Sequence, residues 1–238
     1  MSTHDLIMHS VEDVLPLSEI QFSKENKEAL DQLLKEFKHI DVLKKYKLPV
    51  DNKVLLYGHT GCGKTTTAKA IAHSLNKKII ILNLGKMISS RLGETAKNMA
   101  SIFQRADIEN AVLFIDEFDY IGRERDSDIK DSGEMKRLVN TLIQLIDYLP
   151  ESTLLIAATN HSKSIDTALL RRFQLRLKYE LPSRDALNVY YNTMLAQYPE
   201  EYRNLTMKYD ISFAEAKDII HRAVKSKVIA SEEQKCKS

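Results

Sequence analysis

The sequence predicts an α/β fold in which helices sandwich a parallel five-stranded sheet and a small α-helical lid follows. Short apolar segments alternate with segments of helical periodicity as far as Pro182, which is typical of a parallel sheet with helical crossovers. Beyond Pro182 only helical patterns remain, which predicts the lid. A glycine-rich loop joins the first predicted strand directly to a helix, an arrangement that binds anions in many proteins.

Five strands are predicted from short apolar segments bounded by polar residues or glycine. They cover residues 53–57, 78–83, 111–116, 153–159 and 175–181. Helices are predicted where apolar residues recur at intervals of three and four, as Ala68, Ile71, Ala72 and Leu75 do after the glycine-rich loop. The other predicted helices cover residues 23–47, a segment from residue 93, and 134–149, 184–197, 201–208 and 213–229.

The predicted domain organisation follows from where these patterns change. The first residues show no regular period, and Pro16 interrupts them, so we expect an N-terminal arm before the first helix. The chain closes with a short polar segment. The predicted parts are an arm (1–22), an α/β body (23–182), a helical lid (183–230) and a polar tail (231–238).

Composition restricts the class of protein. With 43% hydrophobic and 29% charged residues, the 238-residue chain has the balance of a globular protein with one sizeable core. The formal net charge is only +2, so the sequence carries no overall basic signal for a nucleic-acid partner. Cys62 and Cys236 form neither a metal-binding pair nor a disulfide framework, and no apolar run approaches ~18 residues. We therefore expect a cytoplasmic protein without a membrane span.

The segment from Gly58 to Thr65 matches the phosphate-loop pattern without a gap or a substitution. Its glycines allow a tight turn whose N–H groups point inward, and the N-terminus of the following helix attracts negative charge. We expect Lys64 to contact the β- and γ-phosphates of a nucleotide and Thr65 to bind Mg²⁺. The predicted nucleotide-binding residues are Gly58, His59, Thr60, Gly61, Cys62, Gly63, Lys64, Thr65 and Thr66.

An acidic pair follows the third predicted strand. Asp116 and Glu117 come directly after four apolar residues, at the strand end where open parallel sheets bind ligands. Beside a phosphate loop, this Walker B pattern predicts that Asp116 holds Mg²⁺ through water and that Glu117 polarises the attacking water. Asp119 is expected to be a structural carboxylate. The predicted fold class is therefore that of a phosphate-loop nucleoside triphosphatase.

Polar residues also flank the last two predicted strands. Asn160 follows the fourth strand, while Arg171 and Arg172 come just before the fifth. Without further context, Asn160 is typical of a turn and the arginine pair is typical of a surface salt bridge.

Four motifs, in this order, resemble those of the AAA+ ATPases. They are the phosphate loop, Leu-Phe-Ile-Asp-Glu-Phe-Asp at 113–119, Ala-Ala-Thr-Asn at 157–160 and Ala-Leu-Leu-Arg-Arg-Phe at 168–173. With the helical lid that follows them, the resemblance covers about residues 25–230. Within the superfamily, the segments 92–97 and 133–140 are most similar to single-ring AAA proteins of bacteria and phages.

The resemblance implies an enzyme that binds ATP and Mg²⁺, releases ADP, and works as a homo-oligomeric ring, usually a hexamer. It implies that Asn160 is a sensor, hydrogen-bonded to the γ-phosphate or to the attacking water. It also implies that Arg171 and Arg172 are arginine fingers that reach the nucleotide of a neighbouring subunit, with Arg172 the first candidate. The partner of such a ring is a protein substrate or adaptor, or another macromolecule, that hydrolysis remodels.

Two segments depart from the pattern of the family. The loop after the second strand has Arg91 near the position of an aromatic residue that grips a threaded polypeptide. The segment 212–217 lacks the second sensor arginine, as in relatives where it contacts the adenine or ribose.

Two other functions agree with parts of the sequence. The first is a nucleotide-dependent switch that recruits another protein with little hydrolysis, which the missing aromatic residue near Arg91 favours. The second is a kinase for a small acceptor, but Glu117 and Asn160 argue against it because they equip the site to activate water.

Overall fold

A six-stranded sheet is the framework of the computed structural model, which describes residues 7–8, 14–88, 92–123 and 132–235. The strands are β1 (Ile7–Met8), β2 (Lys53–Gly58), β3 (Ile79–Asn83), β4 (Val112–Asp116), β5 (Leu155–Thr159) and β6 (Leu175–Tyr179). Their order across the sheet is β1-β3-β4-β5-β2-β6. The pairs β3–β4, β4–β5 and β5–β2 are parallel, as predicted. The addition is β1, which pairs antiparallel with β3 although the sequence analysis assigned it to an irregular arm.

Helices connect and follow these strands. They are α1 (Lys24–Lys38), α2 (Ile40–Lys45), α3 (Lys64–Ser74), α4 (Leu84–Ile88), α5 (Leu92–Ile108), α6 (Tyr120–Arg123), α7 (Ser132–Asp147), α8 (Thr167–Leu170), α9 (Arg184–Ala196) and α10 (Phe213–Lys235). The predicted start of α1 is confirmed, because the Ser23 hydroxyl accepts a hydrogen bond from the Asn26 N–H at 3.2 Å and caps the helix.

The sheet is buried because its central strands are apolar up to their last residue. All five residues of β5 are buried, and so are the first four of β3 and of β4. An uninterrupted apolar strand of this kind indicates a parallel sheet that is covered on both faces. Residues of α5 and α7, among them Met99, Phe103, Leu138 and Leu142, belong to the same buried cluster as these strands.

Strand register brings the carboxyl ends of the central strands to one edge of the sheet. Asn83 of β3 lies opposite Asp116 of β4, and Tyr57 of β2 lies opposite Thr159 of β5. The segments that follow β2, β3, β4 and β5 therefore all begin at this edge, which is where open parallel sheets bind ligands.

The chain divides into two compact units. The first comprises Met1–Gly58 and Lys64–Lys178 and contains nearly the whole sheet, and the second comprises Tyr179–Ser238 together with His59–Gly63. The second unit has its own core, in which Leu187, Tyr191 and Leu195 of α9 belong to one cluster with residues of α10 such as Ala216 and Ile220. Nothing in the local sequence pattern predicts that His59–Gly63 belongs to this unit.

The predicted helix at 201–208 is wrong. Only Glu200–Tyr202 forms a short 3-10 helix, and the following residues up to Tyr209 have no regular structure. Leu205, Met207 and Tyr209 are partly buried against the core of the second unit, whereas the residues between them are exposed. This alternation has the two-residue period of an extended chain, so the sequence did contain a signal against the helix.

The last helix is longer than predicted. α10 continues to Lys235 and so includes residues 231–235, which the sequence analysis assigned to a polar tail. Polar residues do not end a helix by themselves, since Glu, Gln and Lys are good helix formers.

Among the residues that the structure describes, no helix is both long enough and apolar enough to span a membrane.

Candidate functional site

The phosphate-loop lysine and threonine lie at the start of α3, in the first unit. Lys64 is only 8% exposed, and its Nζ donates a hydrogen bond to the Gly58 carbonyl at 2.9 Å. The Thr65 hydroxyl lies 3.4 Å from Asp116 Oδ2, so the end of β4 is in contact with the start of α3. The structure thus brings together three of the residues predicted to bind nucleotide and metal.

The oxygen atoms at this point fit Mg²⁺. Thr65 offers a hydroxyl and Asp116 a half-exposed carboxylate. Mg²⁺ either binds such hard oxygen ligands directly or contacts them through hydrogen bonds from its coordinated water molecules. No cluster of three or more His, Cys, Asp or Glu side chains with metal-binding geometry occurs among the described residues. With Thr65 and Asp116 as its protein ligands, a cation bound here would keep several positions for water or phosphate oxygens, as Mg²⁺ in nucleotide sites does.

The glycines of the loop adopt backbone conformations that other residues rarely reach. The φ angles of Gly58, Gly61 and Gly63 are +129°, +71° and +94°. A side chain would be strained at each of these positions, so the spacing of glycines in the motif has a direct conformational cause.

In the second unit, the loop residues contact the segment that begins α10. The Gly61 carbonyl accepts a hydrogen bond from the Ala214 N–H at 3.1 Å. A Cβ placed on Gly61 would lie 2.6 Å from Ser212 Oγ and 2.9 Å from Ala214 Cβ, so no larger residue fits there. Cys62 is buried, and its Sγ lies 3.6 Å from the Thr60 carbonyl, which indicates a packing role.

Ser212 and Glu215 form a capping box at the start of α10. Glu215 Oε2 accepts hydrogen bonds from both the N–H and the hydroxyl of Ser212 at 2.8 Å, and the Glu215 N–H lies 3.3 Å from Ser212 Oγ. These hydrogen bonds lower the pKa of Glu215, and the bond from the Ser212 N–H has the largest effect. Ser212 and Glu215, which belong to the segment without a second sensor arginine, thus hold the start of α10 next to Gly61.

Glu117 has an exposed side chain on a constrained backbone. Its φ is +54°, in the left-handed region that residues with a Cβ rarely occupy. The Glu117 N–H donates to Asp116 Oδ1, and the Glu117 carbonyl accepts from the Tyr120 N–H, both at 2.9 Å. Such local strain is often found at functional positions, where neighbouring contacts hold it in place.

Asp119, two residues after Glu117, is buried. Its side chain is 6% exposed and accepts a hydrogen bond from the buried Thr159 hydroxyl at 2.8 Å. The Thr159 oxygen in turn accepts from the His161 N–H at 2.9 Å. The hydrogen bond of Asp119 therefore joins the segment after β4 to the end of β5. Thr159, which supports the site through this bond, was not predicted from the sequence.

We expect Asp119→Ala to destabilise the fold, because the buried Thr159 hydroxyl loses its acceptor. The expected loss is about 1–3 kcal/mol in the free energy of unfolding, measured by urea denaturation. Thr159→Val removes the same bond from the other side, so the effects of the two changes should not add in the double variant. Full additivity, or an unchanged midpoint for Asp119→Ala, would contradict the structural role of this carboxylate.

Asn160 is exposed and follows β5 directly, at the same edge of the sheet as Asp116. Its position agrees with access to a ligand bound at that edge. Arg91, near the expected pore aromatic residue, lies outside the described residues.

The two arginines before β6 have different surroundings. Arg172 Nε and Nη2 each donate to Asp147 at 3.0 Å, and Nη1 donates to the Ala168 carbonyl at 2.7 Å. The hydrogen bond to Asp147 raises the pKa of Arg172. Arg171 is exposed, and none of the hydrogen bonds or ion pairs found among the described residues involves its guanidinium. The surface salt bridge considered in the sequence analysis is therefore present at Arg172.

The sequence of this chain is similar to those of a known family of ATPases. Residues 54–181 match the family model described as "ATPase family associated with various cellular activities (AAA)". The uncharacterized AAA family ATPase y4kL of Sinorhizobium fredii is 35% identical in a 220-residue alignment that covers 91% of this chain and 66% of that protein. A proteasome-associated ATPase of Nakamurella multipartita is 32% identical in a 223-residue alignment that covers 83% of this chain but only 38% of that protein.

A solved structure has the same fold. The crystal structure of the FIGL-1 AAA domain aligns with a TM-score of 0.68 over 82% of this chain and 66% of that chain, at 24% sequence identity. With the phosphate loop, the acidic pair after β4 and the parallel sheet all in place, the chain belongs to the AAA family of ATPases.

Proposed function

We propose that this protein binds ATP with Mg²⁺ and hydrolyses it within a homo-oligomeric ring that remodels a protein partner. The observation that carries the proposal is the contact of Thr65 with Asp116, directly beside Glu117. This arrangement puts the hydroxyl and the carboxylate that we propose to hold Mg²⁺, together with a candidate base, at the carboxyl end of β4. Membership of the AAA family supports the same activity.

Nucleotide binding is assigned to the phosphate loop. Backbone N–H groups of the loop and the N-terminus of α3 would receive the phosphates. Lys64 Nζ, which now donates to the Gly58 carbonyl, would turn to the β- and γ-phosphates when they are present. Because Lys64 is largely buried, its charge is screened little by solvent and interacts strongly with an anion there.

The metal would be held by Thr65 directly and by Asp116 through water. When bound, Mg²⁺ neutralises charge on the phosphate oxygens. Asp116 also accepts the Glu117 N–H, so the same carboxylate would orient the metal's water shell and the backbone of the base.

The hydrolytic water is assigned to Glu117 and Asn160. Glu117 is exposed at the end of β4, so its carboxylate is accessible to water at that edge of the sheet. A carboxylate at this position can accept a proton from water as it attacks the γ-phosphorus. Asn160 would hydrogen-bond to the γ-phosphate or to this water, since it follows the neighbouring strand β5.

Between the two arginines, the contacts favour Arg171 as the finger that completes the site of a neighbouring copy. Arg172 would first have to release Asp147 and the Ala168 carbonyl, whereas Arg171 is already exposed. We therefore assign Arg172 to positioning the short helix α8, which carries Arg171 at its end. This reverses the order in the sequence analysis, which put Arg172 first.

The partner is proposed to be a protein. Several curated relatives are named proteasome-associated ATPases, and their similarity to this chain supports a role on protein substrates or adaptors. The chain covers less than two fifths of those relatives, so their remaining segments contribute no support for a particular partner.

If each site is completed by an arginine of a neighbouring subunit, the ATPase rate per subunit depends on protein concentration. We expect turnover per subunit to rise steeply as subunits assemble and then to reach a plateau, because an isolated subunit lacks the neighbour's arginine. Measuring ATPase rate and sedimentation over the same concentration range checks this. A rate per subunit that is brisk and constant in a monomer would contradict the ring, and negligible turnover in an assembled protein would favour the nucleotide switch.

A further inference from the structure

Gly85, the second residue of α4, lies directly against the carboxylate of Glu117. A Cβ placed on Gly85 would be 2.5 Å from Glu117 Oε2, 3.3 Å from Asn83 Oδ1 and 3.4 Å from Tyr120 Cδ2. Real Cβ atoms do not approach an oxygen to 2.5 Å, so the observed position of this carboxylate requires that residue 85 has no side chain.

The helix that carries Gly85 is fixed in place. Asn83, the last residue of β3, accepts a hydrogen bond from the Lys86 N–H through its side-chain oxygen at 2.9 Å and so caps α4. Leu84 and Met87, on either side of this turn, are 0% and 1% exposed. Because α4 is capped and its Leu84 and Met87 side chains are buried, moving it away from Glu117 would disrupt the core.

The backbone of Glu117 is fixed as well. Its left-handed conformation is held by the bond from its own N–H to Asp116 and by the Tyr120 N–H on its carbonyl. The next residue, Phe118, is buried and donates its N–H to the Ala158 carbonyl at 2.9 Å. Only the side-chain torsions of Glu117 are therefore free to respond to a change at residue 85.

We propose that Gly85 is a positioning residue, whose lack of a side chain leaves the space in which the Glu117 carboxylate meets the attacking water. The proposal rests on the proposed role of Glu117 in hydrolysis. A methyl group at residue 85 would push the carboxylate aside, and a displacement of about 1 Å at a reacting group can cost about 10²-fold in rate.

A purely structural role of Gly85 has different consequences. The atom in severe conflict with an added Cβ is the far end of a flexible, exposed side chain, so the fold can accommodate alanine by moving Glu117, with Asn83 Oδ1 shifting by only a few tenths of an ångström. Alanine is also the better helix former, by up to about 1 kcal/mol. Positioning therefore predicts lost turnover without lost stability, whereas a structural role predicts that both are lost together.

Gly133 provides a matched control. It is the second residue of α7, as Gly85 is of α4, and it is exposed. Among the residues that the structure describes, a Cβ on Gly133 meets no atom within 4 Å. Gly133→Ala therefore tests the same substitution at the same helical position without the contact to a carboxylate that is found at Gly85.

The experiment compares steady-state ATPase and thermal unfolding for the wild type, Gly85→Ala, Gly133→Ala, Glu117→Gln and the double variant Gly85→Ala/Glu117→Gln. We expect Gly85→Ala to lower kcat by about ten- to a hundredfold, with KM unchanged and Tm no lower than that of the wild type. Gly133→Ala should match the wild type. In the Glu117→Gln background, Gly85→Ala should cause no further loss, because its effect acts through that carboxylate.

Three results would overturn the inference. They are a wild-type kcat for Gly85→Ala, a loss of Tm that parallels the loss of kcat, and an equal loss of rate with and without the Glu117 carboxylate. A failure of the underlying function would look different, because Glu117→Gln itself would then turn over ATP at the wild-type rate.

Discussion

Glu117→Gln is expected to lower ATP turnover by about 10³-fold while nucleotide binding is retained. The substitution keeps the size of the side chain but removes the group that accepts the proton of the attacking water. Lys64, Thr65 and Asp116, to which binding of phosphate and metal is assigned, are unchanged. Steady-state hydrolysis and equilibrium binding of ATP, measured on the same preparation, check both parts of the prediction.

The control for this variant is the same substitution at an exposed carboxylate elsewhere. Glu151 is exposed and lies before β5, at the opposite end of the strand from Asn160. Glu151→Gln should hydrolyse ATP at the wild-type rate. Normal turnover by Glu117→Gln would refute the assignment of the base, and loss of ATP binding would show that Glu117 acts before the chemical step.

Arg171→Ala should lower turnover in the assembled protein by about 10³-fold, as expected for an arginine that stabilises charge in phosphoryl transfer. Arg172→Ala should be less severe and should lower thermal stability as well, because it removes the hydrogen bonds to Asp147 and the Ala168 carbonyl. The variants are compared by ATPase rate and Tm at a concentration where the wild type has reached its plateau. A larger loss of turnover in Arg172→Ala would restore Arg172 as the finger.

Mixing two inactive variants tests whether Arg171 acts on a neighbour. A subunit with Arg171→Ala keeps its own Glu117, and an adjacent subunit with Glu117→Gln still supplies Arg171. In a randomly mixed ring, about a quarter of the sites would combine both intact groups and recover activity. If the mixture stays as inactive as its components, although mixed rings have formed, Arg171 does not act across a subunit boundary.

The local structure of the phosphate loop and of the end of β4 could be predicted from the sequence because it is encoded by neighbouring residues. The phosphate loop requires glycine at positions of positive φ and a helix directly after it, and both requirements are visible in Gly58–Thr65. The strands are apolar because the sheet is covered on both faces, so Asp116 and Glu117 stand out at the end of β4. These patterns depend on a few neighbouring residues and not on packing.

The supporting contacts could not be predicted, because each joins residues far apart in the chain. Asp119 meets Thr159, Arg172 meets Asp147, and Gly61 meets Ser212 and Ala214. Which side chains come into contact depends on how the helices and strands pack. Without this packing, the same residue types are typical of surfaces and turns. The proposal that Arg171 is the finger in place of Arg172 rests on one such contact, that of Arg172 with Asp147.

The contact of Gly61 with the start of α10 has a mechanical consequence. The helix is 23 residues long, and its capped first turn is hydrogen-bonded to the loop through Ala214. At a rise of 1.5 Å per residue the helix is about 34 Å long, so a tilt of about 5° at its base displaces its far end by about 3 Å. In the second unit, α10 therefore has the geometry of a lever arm, in which a small tilt at the first turn becomes a displacement of several ångströms at Lys235.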